Sequence, residues 1–123
     1  MPGVTVLIAD DHTLFAEALE AILSMDGRIT IVGRAANGAE AVELAHARRP
    51  DVVLMDVSMP VLDGIEATRQ IAGRVNGTRV LVLSGSAAAA DVDRARGAGA
   101  AAYVTKDLIA DELVRAILDV AGR

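Results

Sequence analysis

A doubly wound α/β domain, with five parallel strands and five helices, is what the sequence predicts. Three observations carry that prediction. Short β-branched runs begin near residues 4, 29, 52, 80 and 101, each is followed by a stretch of helical character, and no linker or low-complexity segment interrupts the series. Strand and helix in strict alternation argue for a parallel sheet covered on both faces, with right-handed crossovers. A chain of 123 residues suits one domain, read as 1–123. A domain of this size buries roughly two-thirds of its unfolded surface, so it needs no disulfide or structural metal to fold.

The elements follow in order. Val4 to Ala9 reads as a buried strand. From His12 to Met25 a helix is expected, with Phe15, Ala18, Leu19, Ile22 and Met25 on its apolar face. Ile29 to Ala36 is a second strand, and Arg28 and Arg34 suggest a sheet edge. Asn37 and Glu40 have the form of a capping box, opening a helix that runs to about Arg49 and stops before Pro50. Asp51 to Met55 is the third strand, and Asp63 and Glu66 repeat the capping pattern ahead of a helix ending near Gly73. Val80 to Leu83 is the fourth strand. Ala87 to Arg96 is a weak, alanine-rich helix closed by Gly97 and Gly99. Ala101 to Thr105 is the fifth strand, and Asp107 to Ala121 the last helix, with Ile109, Leu113, Ala116, Ile117 and Val120 facing the core.

Composition narrows the function. The net charge of −5 lacks the basic face that nucleic-acid binding requires. One Phe, one Tyr and no Trp leave few rings to stack on bases or flavins. There is no cysteine for disulfides or thiolate metal sites. No apolar run approaches the roughly 20 residues of a membrane span, and the start has no signal-peptide pattern. A soluble, cytoplasmic protein is expected.

The strand ends carry the chemistry. The first strand ends in Asp10 and Asp11, the third in Asp56, the fourth in Ser84 and the fifth in Lys106. Ligands of open α/β sheets bind beyond those ends, where strand order reverses. Each residue alone has a plainer role: Asp11 and Asp56 as caps, Ser84 as a loop hydroxyl, Lys106 as a solvated charge. Together they form a pattern. Two carboxylates about 5 Å apart repel by roughly 3 kcal/mol at an effective dielectric near 20, which calls for protonation or a bound cation. Hard oxygen ligands suit Mg²⁺. An aspartate can act as a nucleophile towards phosphorus, with Mg²⁺ and Lys106 neutralising the charge on the transferring group.

The stretches Ile8-Ala9-Asp10-Asp11-His12, Leu54-Met55-Asp56-Val57-Ser58-Met59-Pro60, Asp63-Gly64, Leu83-Ser84-Gly85 and Tyr103-Val104-Thr105-Lys106 resemble the response-regulator receiver family, with its CheY-like, flavodoxin-like fold. The resemblance implies strand order 2-1-3-4-5. It implies that Asp56 is the phosphoacceptor of a two-component system, phosphorylated by a sensor histidine kinase. It implies that Asp11, Asp56 and the backbone carbonyl of Ser58 ligate Mg²⁺, with Asp10 acting through water. Ser84 would be the switch hydroxyl, Lys106 the phosphate-binding lysine and Tyr103 the aromatic switch residue. Such a domain is a signalling switch rather than an enzyme, assisting only its own phosphorylation and dephosphorylation. The runs Ala9 to His12 and Lys106-Asp107 resemble the NarL/FixJ type, whose members usually carry a DNA-binding helix-turn-helix. No such output domain is read in these 123 residues, which leaves a stand-alone receiver and a fragment of a longer regulator of transcription both open.

The expected switch moves Ser84 inward on phosphorylation, lets Tyr103 turn, and reshapes the surface of the fourth helix, fifth strand and fifth helix. Asp107 stands where many receivers have proline, leaving the Lys106-Asp107 peptide open between cis and trans. The stretch from Gly85 to Ala90 lacks large apolar anchors, so a mobile loop and fourth helix are expected. Ala110, Val114, Leu118 and Ala121 form a second stripe on the last helix, which suggests a homodimer surface or wider burial within the domain. The competing functions are a pseudo-receiver acting purely as an interaction module, a flavodoxin-like cofactor binder, and a phosphatase. All the receiver residues are present. No glycine-rich phosphate loop follows the first strand, and Ser58 stands where a phosphatase would need a second aspartate. His12 is read as an exposed helix start rather than a metal ligand.

Overall fold

The computed structural model describes residues 3–57, 59 and 62–122. Five strands, β1 (Val4–Ala9), β2 (Ile29–Ala35), β3 (Val52–Asp56), β4 (Arg79–Ser84) and β5 (Ala102–Thr105), alternate with α1 (Thr13–Ser24), α2 (Gly38–Arg48), α3 (Gly64–Arg74), α4 (Ala89–Gly97) and α5 (Ile109–Val120). The strands pair in parallel in the order β2-β1-β3-β4-β5, as expected. A fully covered parallel sheet explains the unbroken apolar runs of β1, β3 and β4.

Successive residues of a strand face opposite sides, and the two cores follow that alternation. Val6, Ile8, Leu54, Leu81 and Leu83 pack with Leu19 and Leu23 of α1 and with Leu113 and Ile117 of α5. Leu7, Val53, Met55, Val80 and Val82 pack with Ala41 and Ala45 of α2, Ala67 and Ile71 of α3, and Ala95 of α4. The chain winds outward in both directions from β1 and β3, so the crevice between their carboxyl ends is the switch point of the sheet.

Helix starts follow their side chains. Asn37 accepts from the Glu40 amide at 2.8 Å, while the Glu40 carboxylate reaches back to the Ala36 amide, one residue earlier than a standard box. Asp63 accepts from the Glu66 amide at 2.9 Å, but Glu66 turns to Arg69 instead of completing a box. Pro50 excludes a helical residue before it, and Arg49 closes α2 in the left-handed region at φ 45°.

One expectation changes, and two questions the sequence left open are answered. In α1 the buried residues are Ala16, Leu19 and Leu23; Phe15 is half-buried, Ala18 is exposed, and Ile22 and Met25 are 36% and 87% exposed. Apolar residues surround most of this helix, so helical spacing fits two overlapping stripes, and the sheet takes the one through Leu19 and Leu23. In α5, Leu118 of the supposed second stripe belongs to the core, and Val114 and Ala121 pack against it; only Ala110 is exposed. Burial within the domain accounts for that stripe, which no longer argues for a homodimer. The Lys106-Asp107 peptide is trans, within a single 3-10 turn at Lys106–Leu108.

Helix α4 begins without a side-chain cap and buries only Ala95 among its residues. Its amides are expected to exchange with deuterium faster than those of α3 and of the central strands. Protection equal to β3, measured by exchange and mass spectrometry, would contradict that expectation.

Candidate cation site at the strand ends

Asp10 follows β1 directly and its side chain is 1% exposed. Its Oδ1 accepts the His12 amide at 2.8 Å, a local turn that launches α1. Its Oδ2 is buried with no hydrogen-bond partner among the described residues. Asp56 ends β3, and its side chain is equally buried. Lys106, just beyond β5, reaches across the sheet end to place Nζ 3.3 Å from Asp56 Oδ1 and 4.8 Å above the centre of the Phe15 ring. Asp11 is more exposed. Its Oδ1 lies 3.3 Å from Nδ1 of His12, which is also 3.6 Å from Asp10 Oδ1. One ligand atom from each of Asp10, Asp11, His12 and Asp56 falls within 4.8 Å of all the others.

Burial pushes the Asp10 carboxyl above its ordinary 3.8, and the neighbouring Asp56 charge adds to the rise. The His12 amide, Lys106 and His12 itself oppose it. One ammonium faces three carboxylates, so the cluster is short of positive charge. A buried carboxylate oxygen without a partner, beside two further hard oxygen donors, fits a small divalent cation such as Mg²⁺. The Ser58 carbonyl, expected as a further ligand, lies outside the described residues.

The raised Asp10 pKa has a consequence for stability. Its desolvation penalty is in full force above the folded-state pKa, shrinks as pH falls through it, and vanishes below the ordinary 3.8. Asp10→Asn keeps an acceptor for the His12 amide and removes the charge. In metal-free buffer at pH 7 the variant is expected to melt at a higher temperature than the wild type. The gain should disappear as the pH is lowered past 4. A variant that melts lower at pH 7 contradicts the electrostatic account.

Ser84 ends β4, one step past the Asp56 register partner Leu83, and is 4% exposed. Its Oγ accepts the Ser86 amide at 3.1 Å, which leaves the hydroxyl proton available for donation towards the pocket. Tyr103 of β5 is half-buried and donates its hydroxyl to the Ser86 carbonyl at 2.7 Å. Ser86 also donates to Asp91 at 2.6 Å and accepts from the Ala88 amide. It therefore ties Ser84, Tyr103 and the first turn of α4 together around a cavity that Val57 and Ile65 also line.

Of the five residues expected to converge, Asp10, Asp11 and Asp56 share one cluster of ligand atoms, Lys106 pairs with Asp56, and Ser84 ends the neighbouring strand one step past the Asp56 register partner. Sequence reasoning missed three others. The Phe15 ring under Lys106 had no signal, being 91 positions away in the chain. Ser86 had a faint one, a second serine two residues after Ser84. Gly64 was noticed only as part of a motif. A Cβ there would overlap the backbone of Asp56 and Val57, so only glycine lets α3 approach the end of β3 so closely.

Comparison with known proteins agrees with this geometry. The response regulator receiver domain family matches residues 6–118. The probable transcriptional regulatory protein NarL of Mycobacterium tuberculosis is 41% identical over 118 residues, 96% of this chain and 55% of that protein. The chain thus spans about half the length of the curated relatives it matches. The signal receiver domain of NarL from the same organism superposes with a TM-score of 0.94 at 39% identity, covering 99% of this chain and 98% of that one. CheY in the CheX-CheY-BeF3-Mg complex of Borrelia burgdorferi gives a TM-score of 0.87 at 27% identity, covering 97% and 90%. No helix among the described residues is long and apolar enough to cross a membrane. Fold, family match and relatives agree: the chain belongs to the response regulator receiver domain family and is of the NarL type.

Proposed function

We propose that this domain is a cytoplasmic phosphorylation switch that accepts a phosphoryl group on Asp56 from a sensor histidine kinase, with Mg²⁺ bound. The observation that carries the proposal is the buried Asp56 carboxylate, set among acidic groups yet held 3.3 Å from the Lys106 ammonium. An Asp56 oxygen attacks phosphorus, the bond to the donor breaks, and the donor leaves with its electron pair and takes up a proton. Asp11, Asp56 and the Ser58 carbonyl would hold Mg²⁺, with Asp10 acting through water. When bound, the ion neutralises charge on the phosphoryl oxygens. Lys106 Nζ binds one of those oxygens and Ser84 Oγ donates to another. The likeness to a CheY bound with BeF3 and Mg supports this reading. The domain assists only its own phosphorylation and dephosphorylation.

Recruiting Ser84 to the phosphoryl group loosens its bond with the Ser86 amide, and through Ser86 the state of the pocket reaches Tyr103 and α4. The relatives named as transcriptional regulators support control of transcription as the output this switch serves. Incubation with Mg²⁺ and a small phosphodonor, followed by intact mass measurement, tests the chemistry. The wild type should gain one phosphoryl group and Asp56→Asn none; an equal gain in the variant contradicts the assignment. Tyr103→Ala should phosphorylate normally but lose the phosphorylation-dependent change in partner affinity, read by titration calorimetry.

A further inference from the structure

We infer that His12 contributes an imidazole nitrogen to the cation pocket. The site would then discriminate in favour of borderline metals such as Co²⁺ beyond what carboxylates alone would do. The inference rests on the acidic pocket proposed above and adds a ligand to it.

Several observations point the same way. Nδ1 of His12 lies 3.3 Å from Asp11 Oδ1 and 3.6 Å from Asp10 Oδ1. Neighbouring ligands of a six-coordinate ion with bonds near 2.1 Å stand about 3 Å apart, so the gap to Asp11, a direct ligand in the proposed site, closes with a shift of a few tenths of an ångström. His12 occupies the N-cap of α1 but makes no side-chain capping bond, and its ring faces the two carboxylates instead. Its backbone is fixed by the bond to Asp10 Oδ1 at 2.8 Å. The ring is 69% exposed, so a neutral imidazole can turn its lone pair inward at little desolvation cost. An independent sign of a ligand is Asp10 Oδ2, buried without a hydrogen bond in the same cluster. Imidazole suits later first-row metals, whereas Mg²⁺ prefers oxygen, so the added nitrogen biases the choice.

The test uses the untagged chain with Mn²⁺ as a paramagnetic probe. Pulsed electron paramagnetic resonance should show ¹⁴N coupling from a directly bound imidazole. The coupling should vanish in His12→Ala and persist in His46→Ala, His46 being the other histidine of the chain. By calorimetry, His12→Ala should weaken Co²⁺ binding about tenfold and Mg²⁺ binding less than about twofold. Bound Mn²⁺ without ¹⁴N coupling in the wild type overturns this inference and leaves the acidic pocket standing. Failure of Mn²⁺ to bind at all overturns both.

Discussion

Replacing Lys106 with methionine is expected to slow phosphoryl uptake from a small donor by about a hundredfold or more, the usual cost of losing one group aimed at developing charge. Methionine keeps an apolar stem where the lysine chain passes the Phe15 ring, so the change removes charge more than packing. Two effects combine. The ammonium near Asp56 Oδ1 would no longer bind a phosphoryl oxygen, and the cluster of Asp10, Asp11 and Asp56 would lose the positive charge paired with Asp56. Rates read from intact mass against time check the prediction. Uptake within a few-fold of the wild type would mean that Lys106 merely pairs with Asp56.

Gly64→Ala is expected to destabilise the domain by about 3 kcal/mol, at the upper end for overpacking, because the added methyl meets backbone rather than a yielding side chain. The melting temperature should fall by about 10 °C. Gly73, near the other end of the same helix, is the internal control: a Cβ there meets nothing within 4 Å. Gly73→Ala should stabilise by about 0.5 kcal/mol through the unfolded chain. Equal effects at the two glycines would show that helix propensity, rather than the approach of α3 to Asp56, governs both. Because Gly64 abuts the acceptor residue, its alanine variant should also phosphorylate more slowly at temperatures where it remains folded.

Much of this was legible in the chain. Alternating strands and helices have distinct periods, and acidic residues directly after apolar runs can only lie at strand ends. Hence the chain alone puts Asp10, Asp56, Ser84 and Lys106 at the ends of four strands. Elements whose patterns are redundant were harder. Apolar residues cover so much of α1 that spacing alone puts Ile22 and Met25 on the core face in place of Leu23, and on α5 Leu118 looked like a partner surface. Helix facing there depends on how α1 and α5 share one side of the sheet, a tertiary fact with no local signature. The same holds for the ring of Phe15 beneath Lys106 and the joint at Ser86, which exist only once β4, β5 and α1 are assembled.

The most direct test of the convergence of these residues is a crystal structure of the domain grown with Mg²⁺ and beryllofluoride. The account predicts beryllium bonded to an Asp56 oxygen, with Lys106 Nζ and Ser84 Oγ in contact with its fluorines and the ion on Asp11 and Asp56. Beryllium bonded to any other carboxylate, or an ion held away from Asp11 and Asp56, would contradict it.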